Sequence, residues 1–287
     1  MDPRDRDGIM QKSTIGVIGP GRAGSALGRS LHAAGYIIAA IGGRNPDNVR
    51  ALATELGARP CQSPATTIDV ADLTIVAVPD DVIAPLASEM AGALCSAAGK
   101  AAVHLSGAQD RAALKPLAQQ GSLRIGVFHP LQTFRRGAAA AENVAGTYFG
   151  IDADGPLREQ LAQMATDLQG HAFDLSHVDH ARYHAAAVFA ANYPTLLLAE
   201  AIDLAVQAGL DRETARRGMT TLLAGAVNNL KDLAPAEAIT GPAARGDDGT
   251  IRRHLEALKH DPQLQRIYQL LADRTKRLAQ PSKEDAA

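Results

Sequence analysis

A glycine motif between a short apolar run and an amphipathic stretch constrains this chain more than any other feature. Residues 14–36 read TIGVIGPGRAGSALGRSLHAAGY, in which Gly19, Gly21 and Gly24 have the spacing G-x-G-x-x-G. In a strand-turn-helix unit, the first glycine permits a tight turn, the second brings bare backbone to a pyrophosphate, and the third lets helix and strand pack closely. A glycine turn without a ligand is the alternative. The residues expected to hold the phosphates are Gly19, Gly21, Arg22, Ala23 and Gly24.

The residues after the second apolar run indicate which dinucleotide is preferred. Sites for NAD usually carry Asp or Glu about 20 residues past the glycine motif, where the carboxylate holds the ribose 2′-hydroxyl. Here the run at 36–41 ends in Gly-Gly-Arg-Asn, and the first acid is Asp47. The Arg44 guanidinium is able to donate two hydrogen bonds to a 2′-phosphate. We therefore expect NADP rather than NAD, the alternative being an Arg44 that contacts only solvent.

Length, composition and charge narrow the class of protein. A chain of 287 residues favours two domains. Hydrophobic residues make up 46% of it and aromatic residues only 3%, which suits Ala- and Leu-rich helices on a parallel sheet. The formal net charge is −2. Since the sequence has no basic stripe long enough to neutralise a phosphate backbone, nucleic acid is not an expected partner.

Cysteine usage and the apolar segments bear on location. Cys61 and Cys95 lack the spacing of a metal site or a disulfide framework, as is typical of a reducing cytoplasm. Residues 1–13 are charged and have no apolar core, which predicts a disordered leader rather than a signal peptide. Residues 185–210 are apolar but interrupted by polar groups, which predicts a buried helix rather than a membrane span. We expect a cytoplasmic protein.

Strand and helix patterns alternate through the first half of the chain. Apolar runs at 73–78, 101–105 and 124–128 are predicted strands, and helical patterns lie near 47–56 and 83–94. This alternation indicates α/β architecture with a doubly wound parallel sheet of the Rossmann type. In such a sheet ligands bind outside the carboxyl ends of the strands. Three strand ends are therefore expected to border one crevice: Val78-Pro79-Asp80, His104-Leu105-Ser106-Gly107 and His129-Pro130-Leu131-Gln132.

The second half has a different pattern. A run at 147–152, a helix at 156–168 and a strand at 171–175 complete a first domain, residues 14–177. Beyond residue 179 every segment is rich in Ala and Leu with helical spacing. Residues 178–287 are therefore predicted to form an all-α domain for substrate binding and dimerisation.

The stretch HVDHARYHAAAVFAANYP at 177–194 carries chemical possibilities. His180 and His184 lie four residues apart on one helix face, and Asn192 lies two turns beyond His184. Pro194 removes an N–H group, which predicts a bend beside Asn192. These side chains suit substrate binding, and hydrogen bonds between helices are the alternative use. Zinc binding by the histidines is disfavoured, because Asp179 adjoins His180 and no H-E-x-x-H is present.

A glycine-rich loop at 239–250 holds Arg245. A guanidinium in a rigid loop is a good clamp for a carboxylate, since its fork matches two oxygens. The alternative is an ion pair between Arg245 and Asp247 that stiffens the loop. Asp248 or Thr250 is expected to cap the helix that follows.

Several segments together resemble a known group of proteins. GVIGPGRAGSALG, VAVPDD, HLSGA, FHPLQTF, YHAAAVFAANY and TGPAARGD resemble bacterial Rossmann-like proteins whose C-terminal half is a domain of unknown function. More distantly, the chain is similar to pyrroline-5-carboxylate reductase, ketopantoate reductase, the deazaflavin-dependent NADP oxidoreductases and the β-hydroxyacid dehydrogenases. The resemblance implies an NADP domain followed by a helical domain of the 6-phosphogluconate dehydrogenase C-terminal type, which often dimerises, and hydride transfer.

One departure from the relatives affects the expected mechanism. The β-hydroxyacid dehydrogenases and ketopantoate reductase carry Lys four residues before an Asn on the first helix after the Rossmann domain. If Asn192 matches that Asn, the lysine position is Val188 here. A proton donor would then be His184, Tyr183, His129 or water, and the choice between C=O and C=N reduction stays open.

The sequence hypothesis is an NADP-dependent oxidoreductase acting on a small carbonyl or imino acid, as a homodimer. A catalytically silent NADP sensor or structural protein is the alternative, and a metal-dependent phosphoesterase is a third hypothesis. The expected catalytic residues are His184, Asn192 and His129. The expected ligand of a substrate carboxylate is Arg245. Further cofactor contacts are expected from Arg44, Val78, Pro79 and Ser106.

Overall fold

The computed structural model describes residues 12–94, 97–121, 123–134 and 144–280. The chain divides into two compact units, residues 1–193 and 194–287, which we call the sheet unit and the helical unit. The division lies inside one long helix, later in the chain than the change from mixed to all-helical pattern near residue 177.

The sheet unit contains one eight-stranded sheet. Its strands are β1 (Ile15–Ile18), β2 (Ile38–Gly42), β3 (Arg59–Pro60), β4 (Leu73–Val76), β5 (Ala101–His104), β6 (Arg124–Leu131), β7 (Tyr148–Asp152) and β8 (His171–Asp174). Their order is β3-β2-β1-β4-β5-β6-β7-β8. In the described part of the chain, β6 and β7 pair antiparallel and the other neighbours pair parallel. The predicted α/β class with a parallel-dominated sheet is therefore confirmed, with one antiparallel pair added.

Helices cover both faces of this sheet. They are α1 (Arg22–Ala33), α2 (Pro46–Leu56), α3 (Pro64–Val70), α4 (Asp80–Ala93), α5 (Lys115–Gly121) and α6 (Gly155–Asp167), with a 3-10 turn at Arg111–Leu114. One buried cluster joins Leu27, Leu52 and Leu161 from α1, α2 and α6, and the other joins Ile83 and Leu117 from α4 and α5. Two apolar layers on opposite faces of one sheet are what a doubly wound fold requires.

Local sequence explains how α2 begins and ends. Asn45 is the N-cap, and its side chain accepts hydrogen bonds from the N–H groups of Asp47 and Asn48 at 3.0 and 3.1 Å. Pro46 occupies the first helical position, where a missing N–H has no cost. Gly57 ends the helix in the left-handed conformation with φ of +65°. These local features fix where α2 starts and so keep the loop between β2 and α2 short.

The helical unit lies after the sheet unit in the chain. Its helices are the second part of α7 (His180–Gln207), then α8 (Arg212–Asn229), α9 (Pro235–Ala238), α10 (Pro242–Arg245), α11 (Asp248–Ala257) and α12 (Pro262–Ala279). The all-helical pattern expected beyond residue 179 holds in the described residues up to 280. The buried apolar residues that the structure describes in this unit are Ala215, Ala243, Ile251, Leu258 and Ala272.

Two expectations need correction. The apolar stretch at 185–210 predicts a buried helix, but no residue of α7 is buried in this single chain. By length and composition α7 is also long and apolar enough to cross a membrane. The predicted leader at 1–13 lies outside the described residues up to residue 11, whereas Lys12 is anchored by an ion pair with Asp167 at 2.8 Å and by the carbonyl of Ala34. The apolar pattern of α7 reflects surface that this chain leaves uncovered.

Candidate functional site

The turn between β1 and α1 uses its three glycines in three different ways. Gly19 has φ of +93°, and a Cβ there would lie 2.4 Å from the carbonyl oxygen of Ala77. At Gly24 a Cβ would lie 2.2 Å from the carbonyl oxygen of Gly19. At Gly21, by contrast, a Cβ would meet nothing within 4 Å. Gly19 and Gly24 are therefore required by the fold, while Gly21 borders open space.

The N-terminus of α1 has the properties of an anion site. Gly21 is its N-cap and offers no side-chain cap, and the first turn of the helix holds no acidic residue. The first N–H groups of a helix have no acceptor within it, and the helix dipole favours negative charge at that end. The pyrophosphate of a dinucleotide fits this end of the helix. It would find bare backbone and open space at Gly21, and no carboxylate in the first turn would repel it.

Arg44, the residue expected to bind the 2′-phosphate, follows the end of β2. Arg44 is exposed, and it makes no ion pair with any residue that the structure describes. The nearest acid in sequence, Asp47, is engaged by Arg50 at 2.5 Å. Arg44 is therefore available to an incoming anion.

A cavity of about 480 Å³ lies beside the ends of β2 and β3. The sequence assigns no site to the β3 side of this cavity, Pro60, Cys61 and Gln62, because β3 is only two residues long and carries no strand pattern. The residues that line the whole cavity are Gly43, Pro46, Val49, Arg50, Pro60, Cys61 and Gln62.

The ends of β4 and β5 lie where the sequence predicts the crevice. Val78 lies beside the glycine turn. Its Cγ1 is 3.2 Å from the position that a Cβ would take at Gly19. Pro79 is the N-cap of α4, which begins at Asp80. The hydroxyl of Ser106 accepts a hydrogen bond from the N–H of Ala108 at 3.1 Å. Val78 is thus next to the proposed cofactor turn, whereas Ser106 shapes the loop after β5.

His104 is a structural residue. Its Nε2 donates to the carbonyl oxygen of Asp110 at 2.9 Å, and its Nδ1 accepts from the N–H of Ser106 at 3.2 Å. Both ring nitrogens are therefore used within the fold. Burial lowers the pKa of His104, so the ring is neutral at neutral pH.

His129 lies inside β6 rather than after it. The sequence predicts that the strand ends at Phe128, but it continues to Leu131 because it pairs with β7, His129 being opposite Gly150. Its Nδ1 lies 2.9 Å from the carbonyl oxygen of Leu105. A carbonyl only accepts, so Nδ1 carries the proton. Burial lowers the pKa of His129, which leaves Nε2 as a bare acceptor.

A cavity of about 540 Å³ opens between the end of β6 and the first part of α7, within the sheet unit. His184 is half-buried there, and Asn192 lines the same cavity although it is exposed. The structure thus brings together the three expected catalytic residues. The lining residues are His129, Leu131, Gln132, Thr133, Tyr183, His184, Ala186, Ala187, Val188, Ala190, Ala191 and Asn192.

Tyr183 is the most distinctive residue of this cavity. Its ring stands edge-on to that of His129, with centroids 5.6 Å apart. Burial raises the pKa of Tyr183 to about 12. Sequence reasoning named Tyr183 only as one of several proton donors, because its meeting with His129 depends on how α7 packs against β6.

Among the described residues, no three His, Cys, Asp or Glu side chains are grouped closely enough to share a metal ion. Asp179 instead caps α7, since its Oδ1 accepts from the N–H of Arg182 at 3.0 Å. The helix runs continuously through Pro194, and a bend at that residue stays a prediction. Of the two cysteines, Cys61 is a buried free thiol and Cys95 lies outside the described residues.

Arg245 belongs to the helical unit. It ends the short helix α10, is exposed, and makes no ion pair among the described residues. The alternative of a stiffening ion pair with Asp247 is therefore not found there, although the pKa of Asp247, lowered chiefly by hydrogen bonds from Thr250, is also lowered by the charge of Arg245. The predicted cap was wrong by one residue, because Asp247, rather than Asp248 or Thr250, caps α11 by accepting from the N–H of Thr250 at 3.0 Å. Asp248 pairs with Lys276 at 2.5 Å.

Comparisons with known proteins agree with this architecture. Residues 1–130 match the model of a Rossmann-like domain, and residues 147–275 match a domain of unknown function, DUF2520. This is the arrangement of the bacterial proteins that the sequence motifs resemble, so that resemblance is confirmed. The search of curated proteins found no match in sequence.

Solved structures of similar fold include several from other organisms. A Bacteroides fragilis protein described as an NADP oxidoreductase is 26% identical, with a TM-score of 0.76 over 92% of this chain and 98% of its own. Protein TM1727 of Thermotoga maritima is 21% identical, with a TM-score of 0.69 over 96% and 100%. The NADP-bound pyrroline carboxylate reductase of Plasmodium falciparum is 15% identical, with a TM-score of 0.61 over 94% and 99%.

Proposed function

We propose that this chain is an NADP-dependent oxidoreductase that reduces a small carbonyl or imino compound. The observation that carries the proposal is the uncapped end of α1, where Gly21 borders open space and the other two glycines do not. The Bacteroides fragilis and Plasmodium falciparum neighbours, one described as an NADP oxidoreductase and one holding NADP, support it.

The cofactor contacts follow from the strand ends. Gly19, Gly21, Arg22, Ala23 and Gly24 would hold the pyrophosphate, and Arg44 would hold the 2′-phosphate. Val78, Pro79 and Ser106 would border the rest of the cofactor. When bound, the reduced nicotinamide supplies a hydride to an electrophilic carbon.

The substrate is proposed to occupy the cavity between β6 and α7. His184 would protonate a substrate heteroatom, the amide of Asn192 would hold it by a hydrogen bond, and His129 is fixed as an acceptor. In the helical unit, the exposed guanidinium of Arg245 is proposed as a ligand for a carboxylate. The cavity wall would orient the substrate and exclude water, and orientation is expected to supply most of the acceleration.

A titration of purified protein with NADPH and NADH tests the cofactor proposal. The chain has no tryptophan, so nucleotide fluorescence is read without a protein background. Arg44→Ala is expected to weaken NADPH by tenfold or more, and NADH by much less, because only NADPH carries the 2′-phosphate. Arg124→Ala, at the opposite end of the strands, is the matched loss of charge and is expected to change neither. Equal losses for the two nucleotides would refute the 2′-phosphate contact.

Gly21→Ala separates cofactor binding from folding. Its methyl group enters open space, so we expect an unchanged melting temperature together with weaker NADPH binding. Gly24→Ala is the contrast, since its Cβ would collide with backbone and lower the melting temperature as well. Unchanged NADPH affinity in Gly21→Ala would contradict the proposal that the pyrophosphate contacts the backbone at Gly21.

The rival function is an NADP sensor without turnover, and Val188 favours it. This apolar residue lines the cavity, and if Asn192 matches the Asn of the β-hydroxyacid dehydrogenases, it stands where they carry lysine. Loss of NADPH absorbance with a panel of keto and imino acids separates the two functions. Consumption with any panel member supports the reductase, and binding without consumption across the panel supports the sensor.

We also propose that the chain forms a homodimer through the apolar helices from residue 185 onward. Within the described residues, the helical unit buries five apolar side chains and exposes large ones such as Leu196 and Leu222. So small a core leaves a unit of this size marginal by itself. A second copy is the partner that closed symmetry favours.

A further inference from the structure

Unpartnered polar groups are concentrated at one junction of the sheet unit. Among the residues that the structure describes, five buried side-chain atoms have no hydrogen-bond partner, and three of them belong to His129, His180 and Tyr183. Nearly all buried polar groups in folded proteins are hydrogen-bonded. Since two of these three residues line the cavity between β6 and α7, their missing partner is expected to come from a ligand.

His129 offers one defined group to that ligand. Nδ1 is committed as donor to the carbonyl oxygen of Leu105, so the ring cannot flip without losing this bond. The ring also packs closely against the backbone of Gly107. A Cβ at that position would lie only 2.7 to 3.0 Å from Nε2, Cε1 and Cδ2 of His129. Burial lowers the pKa of His129; the hydrogen bond to the Leu105 carbonyl and the charge of Asp80 oppose this, and His184 and His104 reinforce it. Nε2 is therefore held as a hydrogen-bond acceptor.

Tyr183 offers the complementary group. Its hydroxyl is buried and unpartnered, and its ring lies between His129 and Phe173, at centroid distances of 5.6 and 6.1 Å. A phenol that stays protonated carries one O–H donor. The remaining wall that α7 contributes is mainly alanine. One acceptor and one donor thus belong to neighbouring rings of this cavity, whose other polar lining comes from Gln132, Thr133, His184 and Asn192.

We propose that His129 Nε2 and the Tyr183 hydroxyl together recognise a single head group that both donates and accepts a hydrogen bond. A hydroxyl or a neutral amine on a small apolar body has this chemistry. A ketone does not, because it only accepts and leaves Nε2 without a donor. This inference rests on the proposed function and deepens it, since the alcohol or amine is the reduced member of the substrate pair.

Nitrogen NMR on the wild-type protein tests the role of His129. The His129→Gln variant identifies the ring resonances by their disappearance. At neutral pH we expect a protonated Nδ1 and an unprotonated Nε2. A ring protonated at Nε2, in either the other tautomer or the imidazolium form, overturns the inference.

Two probes of equal shape test the head group. Cyclohexanol both donates and accepts, whereas cyclohexanone only accepts. Cyclohexanol is expected to move the Nε2 resonance of His129 and to bind at least fivefold more tightly than cyclohexanone, the size of one net hydrogen bond. Equal affinity and equal shifts for the two probes overturn the inference.

A matched pair of tyrosine variants tests the donor. Tyr183→Phe is expected to weaken cyclohexanol and cyclohexanone alike, about fivefold each, because the oxygen of either probe accepts from the Tyr183 hydroxyl. Tyr193→Phe, on the same helix and outside the cavity, is expected to change neither. Wild-type affinity in Tyr183→Phe overturns the inference. If Tyr183→Phe fails to fold, the two-probe comparison on the wild type still decides.

The NADPH titration keeps this inference separate from the proposed function. Normal NADPH binding with the wrong His129 tautomer refutes the head-group site alone. Absence of NADPH binding, with the expected tautomer and the expected preference for cyclohexanol, refutes the reductase and leaves the head-group site standing.

Discussion

The two units of this chain differ in how they treat apolar side chains. The sheet unit buries large ones completely, as in the stacked pair Phe128 and Phe149, whose ring centroids are 4.6 Å apart. The helical unit buries small residues such as Ala215 and Ala243 and leaves Leu222 69% exposed. Burial of apolar surface is the main favourable term in folding. The sheet unit therefore has the larger apolar core, whereas the helical unit is the one for which we propose a covering surface.

The same contrast explains where the unusual chemistry lies. Burial in the sheet unit lowers the pKa of His104 and His129 and raises that of Tyr183. In the helical unit the charged residues pair on the surface, as Glu213 does with Arg216 and Arg217. Exposed pairs of this kind contribute little to stability. Polar groups that are buried and unpartnered are the better guide to a ligand site in this chain.

The largest expected effect comes from truncating the core of the sheet unit. Phe128→Ala removes a fully buried ring that stacks on Phe149, and we expect a loss of about 3–5 kcal/mol in the free energy of unfolding. Leu222→Ala removes an exposed side chain and is expected to cost far less at protein concentrations that favour the monomer. Urea unfolding of both variants measures the difference. Equal losses in the dilute protein would contradict the contrast between the units.

A charge on the helical unit tests whether a second copy covers it. Leu222→Asp is expected to weaken self-association about thirtyfold or more, the effect of losing about 2 kcal/mol at an interface. Ile37→Asp places the same charge on an apolar side chain that is 65% exposed in the sheet unit, and should leave association unchanged. Light scattering across a dilution series gives the dissociation constants. A wild-type chain that is monomeric at all concentrations refutes the dimer, and recovery in the membrane fraction would assign α7 to a bilayer instead.

Acid is expected to weaken the sheet unit through its buried histidines. The pKa of His104 is lowered chiefly by burial, an effect that His180 reinforces while the Asp110 carbonyl and Asp80 oppose it. Below about pH 6.5 the unfolded chain therefore binds a proton that the folded chain does not, and stability falls as pH decreases from 7 to 5.

The loss attributable to one such histidine is at most about 1.4 kcal/mol per pH unit. Melting temperatures across this range measure it in the wild type and in His104→Gln, which keeps an N–H donor for the carbonyl of Asp110. The variant should show a shallower slope. Identical slopes would show that His104 does not stay neutral in the folded state.

The parts of the fold that the sequence predicts are those encoded locally. The positive φ of Gly19 and the close approach of Gly24 to the carbonyl of Gly19 both lie within one strand-turn-helix unit, although the contact of Gly19 with Ala77 does not. The strand ends of β4 and β5 are found for the same reason, because short apolar runs mark buried strands. Local patterns thus locate the ends of these two strands within two residues.

Features that depend on distant partners are not predicted. The extension of β6 through His129 requires the antiparallel pairing with β7. The approach of Tyr183 to His129 requires α7 to return to the end of that strand. The apolar pattern of α7 predicts a buried helix wrongly, since periodicity does not tell a core face from a face left uncovered by the chain itself. Non-local contacts therefore decide the details of the substrate cavity.

The smallest expected effect concerns an ion pair on the surface of the sheet unit. Arg29 in α1 donates two hydrogen bonds to Glu55 in α2, at 2.6 and 2.8 Å. The guanidinium fork matches both carboxylate oxygens, so Arg29→Lys keeps the charge but loses the paired geometry. Because Glu55 is partly exposed to solvent, we expect a loss of about 0.2–1 kcal/mol, reduced further by high salt. Urea unfolding at low and high salt measures it. A loss in the free energy of unfolding as large as that of Phe128→Ala would mean that the sheet unit depends on its surface charges as much as on its core. The contrast with the helical unit would then no longer rest on apolar burial.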